Sequence, residues 1–142
     1  MESETNVTAM EHVLVLTDDL ERTREFYAGL IGLRVGERPP LAFPGYWLYA
    51  GDTACLHIAE REPYRRHAAG LGLDVDASMT GRGGVDHVAF AATGYEQLLD
   101  RLERAGVAAA RNEVPDGGPR QLFIEDPNGV RIELNVRRPQ PE

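Results

Sequence analysis

The chain has 142 residues, enough to bury one compact core or two small modules that share one. Its 15 basic residues, every one an arginine, face 23 acidic residues for a formal charge of −8 at pH 7, which argues against nucleic acid or an anionic membrane as the main partner because phosphate binding draws on clustered cations. A single cysteine, Cys55, excludes an internal disulfide and a multi-thiolate zinc cluster, and an acidic start with no long apolar run leads to the expectation of a cytoplasmic protein with no signal peptide and no membrane span.

Residues 11–16 are apolar on both faces, the pattern of a strand covered by a helix on one side and facing a pocket on the other. A helix should follow, capped by Thr17 or Asp18, with Asp18, Asp19 and Glu21 at its positive end and Leu20, Phe26, Tyr27 and Leu30 at helical spacing up to Gly32. Residues 33–37 read as a strand. After the Pro39-Pro40 break, 46–50 form an aromatic strand, Gly51-Asp52 a tight turn and 53–60 its hairpin partner. The first module, 9–60, is therefore β-α-β-β-β. Residues 61–84 form a joint, with a short helix over 64–69 and a flexible connector at 81–84. The pattern then restarts: a strand at 85–92, an amphipathic helix marked by Tyr95, Leu98, Leu99 and Leu102 that ends at Gly106, and strands at 107–113, 121–125 and 130–136. The Asp126-Pro127-Asn128-Gly129 turn joins the last two. The second module spans 85–136, and 137–142 is a tail expected to be disordered.

The two modules echo one another in chemistry as well as pattern. Glu11-His12-Val13 recurs as Asp86-His87-Val88, 75 residues on, and His57 answers Glu133, 76 residues on. Three imidazoles and a carboxylate at equivalent positions form a metal-ligand set. Alternation along the strands gives His57 the small neighbours Cys55 and Ala59, and His87 the small neighbours Ala89 and Ala91, which leaves room beside each ring. Glu133 shares its face with Arg131 and Asn135, and a carboxylate on such a face needs a partner: a metal, or an arginine such as Arg131. Pairing of the modules about a pseudo-twofold should set His12 beside His87 and His57 beside Glu133. His67 has no counterpart and reads as a surface residue. Of the aromatic run Tyr46, Trp47 and Tyr49, only one alternate face can line a pocket, and Arg120 and Arg111 are candidates to hold an anionic group of a substrate.

His12-Val13-Leu14-Val15, the following residues 19–27, Leu30-Ile31-Gly32-Leu33, Asp86-His87-Val88-Ala89-Phe90 and the stretch 126–133 together resemble the vicinal oxygen chelate superfamily, which includes glyoxalase I, epimerases, fosfomycin-resistance proteins, extradiol dioxygenases and metal-free bleomycin-resistance proteins. The resemblance covers nearly the whole chain. It implies an α+β fold of two paired βαβββ modules, their curved mixed sheets enclosing a metal-binding cup. It also implies one divalent ion (Zn, Ni, Co, Mn or Fe) held by His12, His57, His87 and Glu133, and a small-molecule substrate with two adjacent oxygens. In many small members the cup is completed between two chains, so a homodimer is expected. The implied activity is that of a glyoxalase-like isomerase or lyase working through a chelated enediolate or oxyanion. Glu133 would move the proton, His57 would serve as its conjugate acid or as a fixed ligand, and Tyr46, Trp47, Tyr49 and Arg120 would contact the substrate. Two alternatives stand: an Fe(II) extradiol-type dioxygenase using His12, His87 and Glu133, and a protein that binds a drug or metabolite without turnover.

Overall fold

A computed structural model of the chain describes residues 9–73, 75 and 85–138. The expected connector at 81–84 and the end of the tail, 139–142, lie outside the described residues. In chain order the elements are β1 (Val13–Thr17), α1 (Leu20–Arg24) running on as a π-helical segment (Glu25–Ile31), β2 (Arg34–Gly36), β3 (Gly45–Ala50), β4 (Thr53–Glu60), α2 (Arg61–Gly70), β5 (Val88–Ala92), α3 (Tyr95–Arg104), β6 (Ala110–Glu113), β7 (Arg120–Glu125) and β8 (Arg131–Val136). They build two four-stranded mixed sheets, ordered β1-β4-β3-β2 and β5-β8-β7-β6, with the first and last strands of each half parallel and the rest antiparallel. No helix among the described residues is long and apolar enough to cross a membrane.

Each sheet turns one face to the helices. Leu48, Leu56 and Ile58 in the first, and Leu122, Ile132 and Leu134 in the second, are almost wholly buried and belong to one hydrophobic core with Tyr27 and Leu102. Strand alternation sends their neighbours to the opposite faces. Truncating Leu134 to Ala at the centre of this core should cost about 2–5 kcal/mol, readable as a lower midpoint in chemical unfolding.

Several elements differ in extent from the sequence reading. The expected cap at Thr17 or Asp18 is Asp19, whose side chain accepts from the Arg22 N–H at 3.1 Å. Asp18 instead binds Arg61 at 3.0 Å, and the buried Thr17 hydroxyl accepts from the Asp19 N–H. The expected regular helix widens after Arg24, because the backbone closes five-residue steps such as Gly32 N–H to the Tyr27 carbonyl. Gly32 ends it at φ 98°, a left-handed conformation suited to glycine. Strands β1, β5 and β6 start later than expected, because their partner strands supply the first ladder residue only at Val13, Val88 and Ala110. His12 and His87 therefore sit one residue before their strands, at the open ends of the sheets.

The halves are joined on their helical sides. Tyr27, at the centre of the π-helical segment, donates to Asp126 at 2.7 Å, and Asn128 donates to Thr23 at 3.0 Å. The Asp126 carboxylate also accepts from the N–H groups of Asn128 and Val130 at 2.7 and 2.8 Å. Asp126 thus closes its own turn with one oxygen and reaches across the seam with the other.

Candidate active site

The ladder registers place the four candidate ligands in matching positions. In the first half Leu14 pairs with His57, and in the second Ala89 pairs with Glu133. His12 and His87 stand two residues before Leu14 and Ala89, so the repeat seen in the sequence is a repeat of geometry. The pairing runs differently from the expectation. His12 lies against His57 in its own sheet and His87 against Glu133 in its own, since β1 borders β4 and β5 borders β8. Among the described residues no group of three or more His, Cys, Asp or Glu side chains is gathered to hold a metal.

The second half-site is the more fully built. The Glu133 side chain is buried and accepts from Gln121 Nε2 at 3.3 Å and from Asn135 Nδ2 at 2.7 Å. Gln121 is held in turn by Asn112, at 2.7 Å, and it also donates to Asn135 at 3.0 Å. His87 Nε2 stands 3.7 Å from Glu133 Oε1, too far for a hydrogen bond and close to the ~3.4 Å between two ligand atoms of a tetrahedral zinc site. The other ring nitrogen, Nδ1, lies 2.8 Å from Asp86, which can only accept, so a neutral ring keeps its Nε2 lone pair free toward Glu133. Arg131 holds Asp86 through contacts of 3.0 and 3.1 Å. A carboxylate behind an imidazole is the usual support of a metal-ligating histidine. Arg131 therefore answers Asp86, and among the described residues no arginine meets Glu133. Phe123 closes the same face edge-on to His87, while Ala89 and Ala91 leave it open to solvent.

The first half-site is a stack. The His57 ring lies between His12, 3.8 Å away, and Trp47, 4.1 Å away, both nearly parallel to it. Burial first, then the neighbouring His12, holds the His57 imidazole below its usual pKa, which favours the neutral ring a metal requires. The lone pairs of two parallel rings cannot meet at one point, so His12 and His57 bind one ion together only after one ring turns. The donor chemistry of the four side chains fits a borderline divalent metal, and the stacked arrangement of the first pair does not.

The remaining candidates separate by face. Trp47 pairs in register with His57 and shares its face. Tyr46 points the other way, donates to Glu21 and lies under Arg24, so it does not stand beside the histidines. Tyr49 is held by the Glu37 carbonyl and Arg34. Arg120 lies on the helical side of the second sheet, 3.6 Å over the Tyr95 ring and 3.2 Å from Glu113, opposite the Glu133 face. Arg111 turns to Glu103 of α3 on that same side. His67 packs on Phe43 and Tyr64, away from both pairs. Gln121, Phe123 and the support that Asp86 gives His87 are what the sequence reading passed over. Strand alternation from Glu133 gives Asn135, as read from the sequence, but the register of β7 that delivers Gln121 and Phe123 is a tertiary fact.

Comparison with known proteins gives a consistent picture. The family model described as Glyoxalase/Bleomycin resistance protein/Dioxygenase superfamily matches residues 9–134. Two relatives from Arabidopsis thaliana are each 26% identical: "Glyoxylase I 4" over 132 residues, 91% of this chain and 71% of that protein, and "Lactoylglutathione lyase GLX1" over 136 residues, 92% of this chain and 45% of that protein. The chain thus spans less than half the length of the second. Among solved structures, TnmS3, an antibiotic binding protein from Streptomyces sp. CB03234, has the same fold at a TM-score of 0.65 and 18% identity, covering 95% of this chain and all of that one.

Proposed function

Since the chain belongs to the Glyoxalase/Bleomycin resistance protein/Dioxygenase superfamily, we propose that it is a divalent-metal-dependent enzyme of the glyoxalase type, an isomerase or lyase acting on a small molecule with two adjacent oxygens. The observation that carries this reading is the His87–Glu133 pair with its supports: a buried carboxylate held by two amides, and an imidazole held by Asp86, converging at 3.7 Å. A binding protein has no need of so costly an arrangement. His12, His57, His87 and Glu133 would hold the metal once the His12 ring turns out of its stack on His57. Each chain presents two half-sites of two ligands, and pairing of two copies would join His12 and His57 of one with His87 and Glu133 of the other.

When bound, the metal supplies Lewis-acid stabilisation of negative charge on the substrate oxygens. The chain's own residues do the rest. Glu133 takes the proton from the substrate carbon and returns it to the neighbouring position, with Gln121 and Asn135 fixing the direction of its oxygens. Asp86 keeps the His87 ring in place, Trp47 fixes the plane of His57, and Phe123 offers an apolar wall for the substrate. Arg120 and Tyr46, on the helical faces, take no part in this proposal.

Elemental analysis after anaerobic purification, together with light scattering, tests it. Zinc, nickel, cobalt or manganese near one ion per chain in a dimeric protein is the expected result. Stoichiometric iron with oxygen consumption on catechols would replace it with the dioxygenase reading. No metal even after reconstitution would overturn the metal site and favour a binding protein, the role that TnmS3 carries in its description, and a monodisperse monomer that still holds its metal would overturn the sharing of the site between two copies.

A further inference from the structure

A cavity of about 480 Å³ lies at the seam between the two halves, between the end of the π-helical segment, the β3–β4 turn, the end of β5 and α3. That volume is in the range of metabolite pockets, and such pockets favour boundaries between structural units. Its floor is apolar, the half-buried Phe90 with the largely buried Leu33, Leu98 and Leu134 behind it, and its rim is polar. Two guanidinium groups line the same cavity. Arg101 donates across the seam to the Leu30 carbonyl at 3.1 Å, and Arg34 lies 4.8 Å from the centre of the Tyr49 ring and reaches the Gly51 carbonyl at 3.4 Å.

Neither of these arginines meets a carboxylate among the described residues. Arg24, Arg61, Arg104 and Arg131, by contrast, each stand 2.8–3.1 Å from an Asp or Glu. A cation on an apolar wall that satisfies only a carbonyl or a ring keeps donor capacity for an anion, and charge-assisted bonds are the strong ones. The protein's overall negative charge opposes non-specific anion binding, so any anion bound here must be held by local geometry.

We propose that this seam cavity is a second ligand site, separate from the histidine pairs, that takes a small organic acid with a compact apolar body: the body against Phe90, the carboxylate on Arg101 and Arg34. The ligand touches both halves at once. Its binding therefore steadies the seam that sets the two half-sites relative to one another, and it raises the melting temperature by mass action.

The test is titration of the isotope-labelled full chain with phenylacetate, followed by backbone amide shifts, with phenylacetamide as the uncharged control. Saturable shifts confined to residues 31–34, 49–51, 90–94 and 97–101 are expected, with the amide binding about tenfold more weakly or worse. Arg101→Gln should lose about tenfold in affinity. Because that change also removes the bond to Leu30, Ala50→Trp serves as the second variant: it crowds the exposed rim of the cavity and removes neither arginine, and it too should abolish the shifts. The proposal is overturned if the shifts centre on residues 12, 57, 87 and 133, if acid and amide bind equally, if both variants bind as the parent does, or if millimolar phenylacetate gives no saturable shift.

Discussion

Replacement of Glu133 by Gln is expected to leave the protein folded while lowering turnover by a factor of about 10²–10⁴, the usual contribution of a positioned general acid–base. The side chain is the one buried carboxylate on the open face of the second sheet, and both of its oxygens accept from amides. Gln keeps its shape and, after an amide flip in Asn135 or Gln121, its hydrogen bonds, but it cannot take a proton. His87→Ala should remove the metal altogether, and Asp86→Asn should weaken metal binding by about 10–100-fold, because it withdraws the anion that orients the ring. Metal content and competition with a chelator measure both effects. His67→Ala, a ring packed on Phe43 and Tyr64, should change none of these quantities. Full activity in Glu133→Gln would remove the proton-transfer role. Unchanged metal content in His87→Ala would remove the site.

A large effect on stability should also come from Asp126→Ala. Three hydrogen bonds of 2.7–2.8 Å end on this carboxylate, which is 5% exposed, and one of them comes from Tyr27, which is fully buried. Truncation strands the tyrosine hydroxyl and two turn amides together. A cost of about 3 kcal/mol follows from what unpaired buried groups forfeit, and for a chain of this size it corresponds to a melting point lower by roughly 6–12 °C. Tyr27→Phe should cost less, since Asp126 keeps its two backbone partners. Calorimetry on the two variants separates the contributions. Equal melting points for Asp126→Ala and the parent would show that the seam is held by the apolar core alone.

How much of this could be read from the residues follows from where the information lies. Period-two and period-3.6 patterning are local, so the β-α-β-β-β order of each half and the buried set of Leu56, Ile58, Ile132 and Leu134 are legible in the chain itself. The internal echo is also local to two short segments, and it yields the equivalence of His12 with His87 and of His57 with Glu133. Face assignment is partly legible: alternation alone splits Tyr46 from Trp47. The π-helical widening was not legible, because it depends on how the helix closes onto Gly32 and on the tie from Tyr27 to Asp126, 99 residues away in sequence.

What the tertiary structure alone decided is which ligand meets which. Two equivalent modules can associate through their sheet edges or through their helices, and nothing in a local pattern distinguishes the two. Here the helix of the first half meets the β7–β8 turn through Tyr27–Asp126 and Thr23–Asn128 and meets α3 through Leu30–Arg101, and each sheet keeps its own candidate pair on its open face. The partners of the pairs were likewise decided across strands. Register brings Gln121 to Glu133 and stacks Trp47 on His57, while Arg131 turns to Asp86 and Arg120 to the far side of the sheet. A sequence fixes the chemistry of each side chain and the face it can occupy. The neighbour it meets there is set by strands that come from elsewhere in the chain.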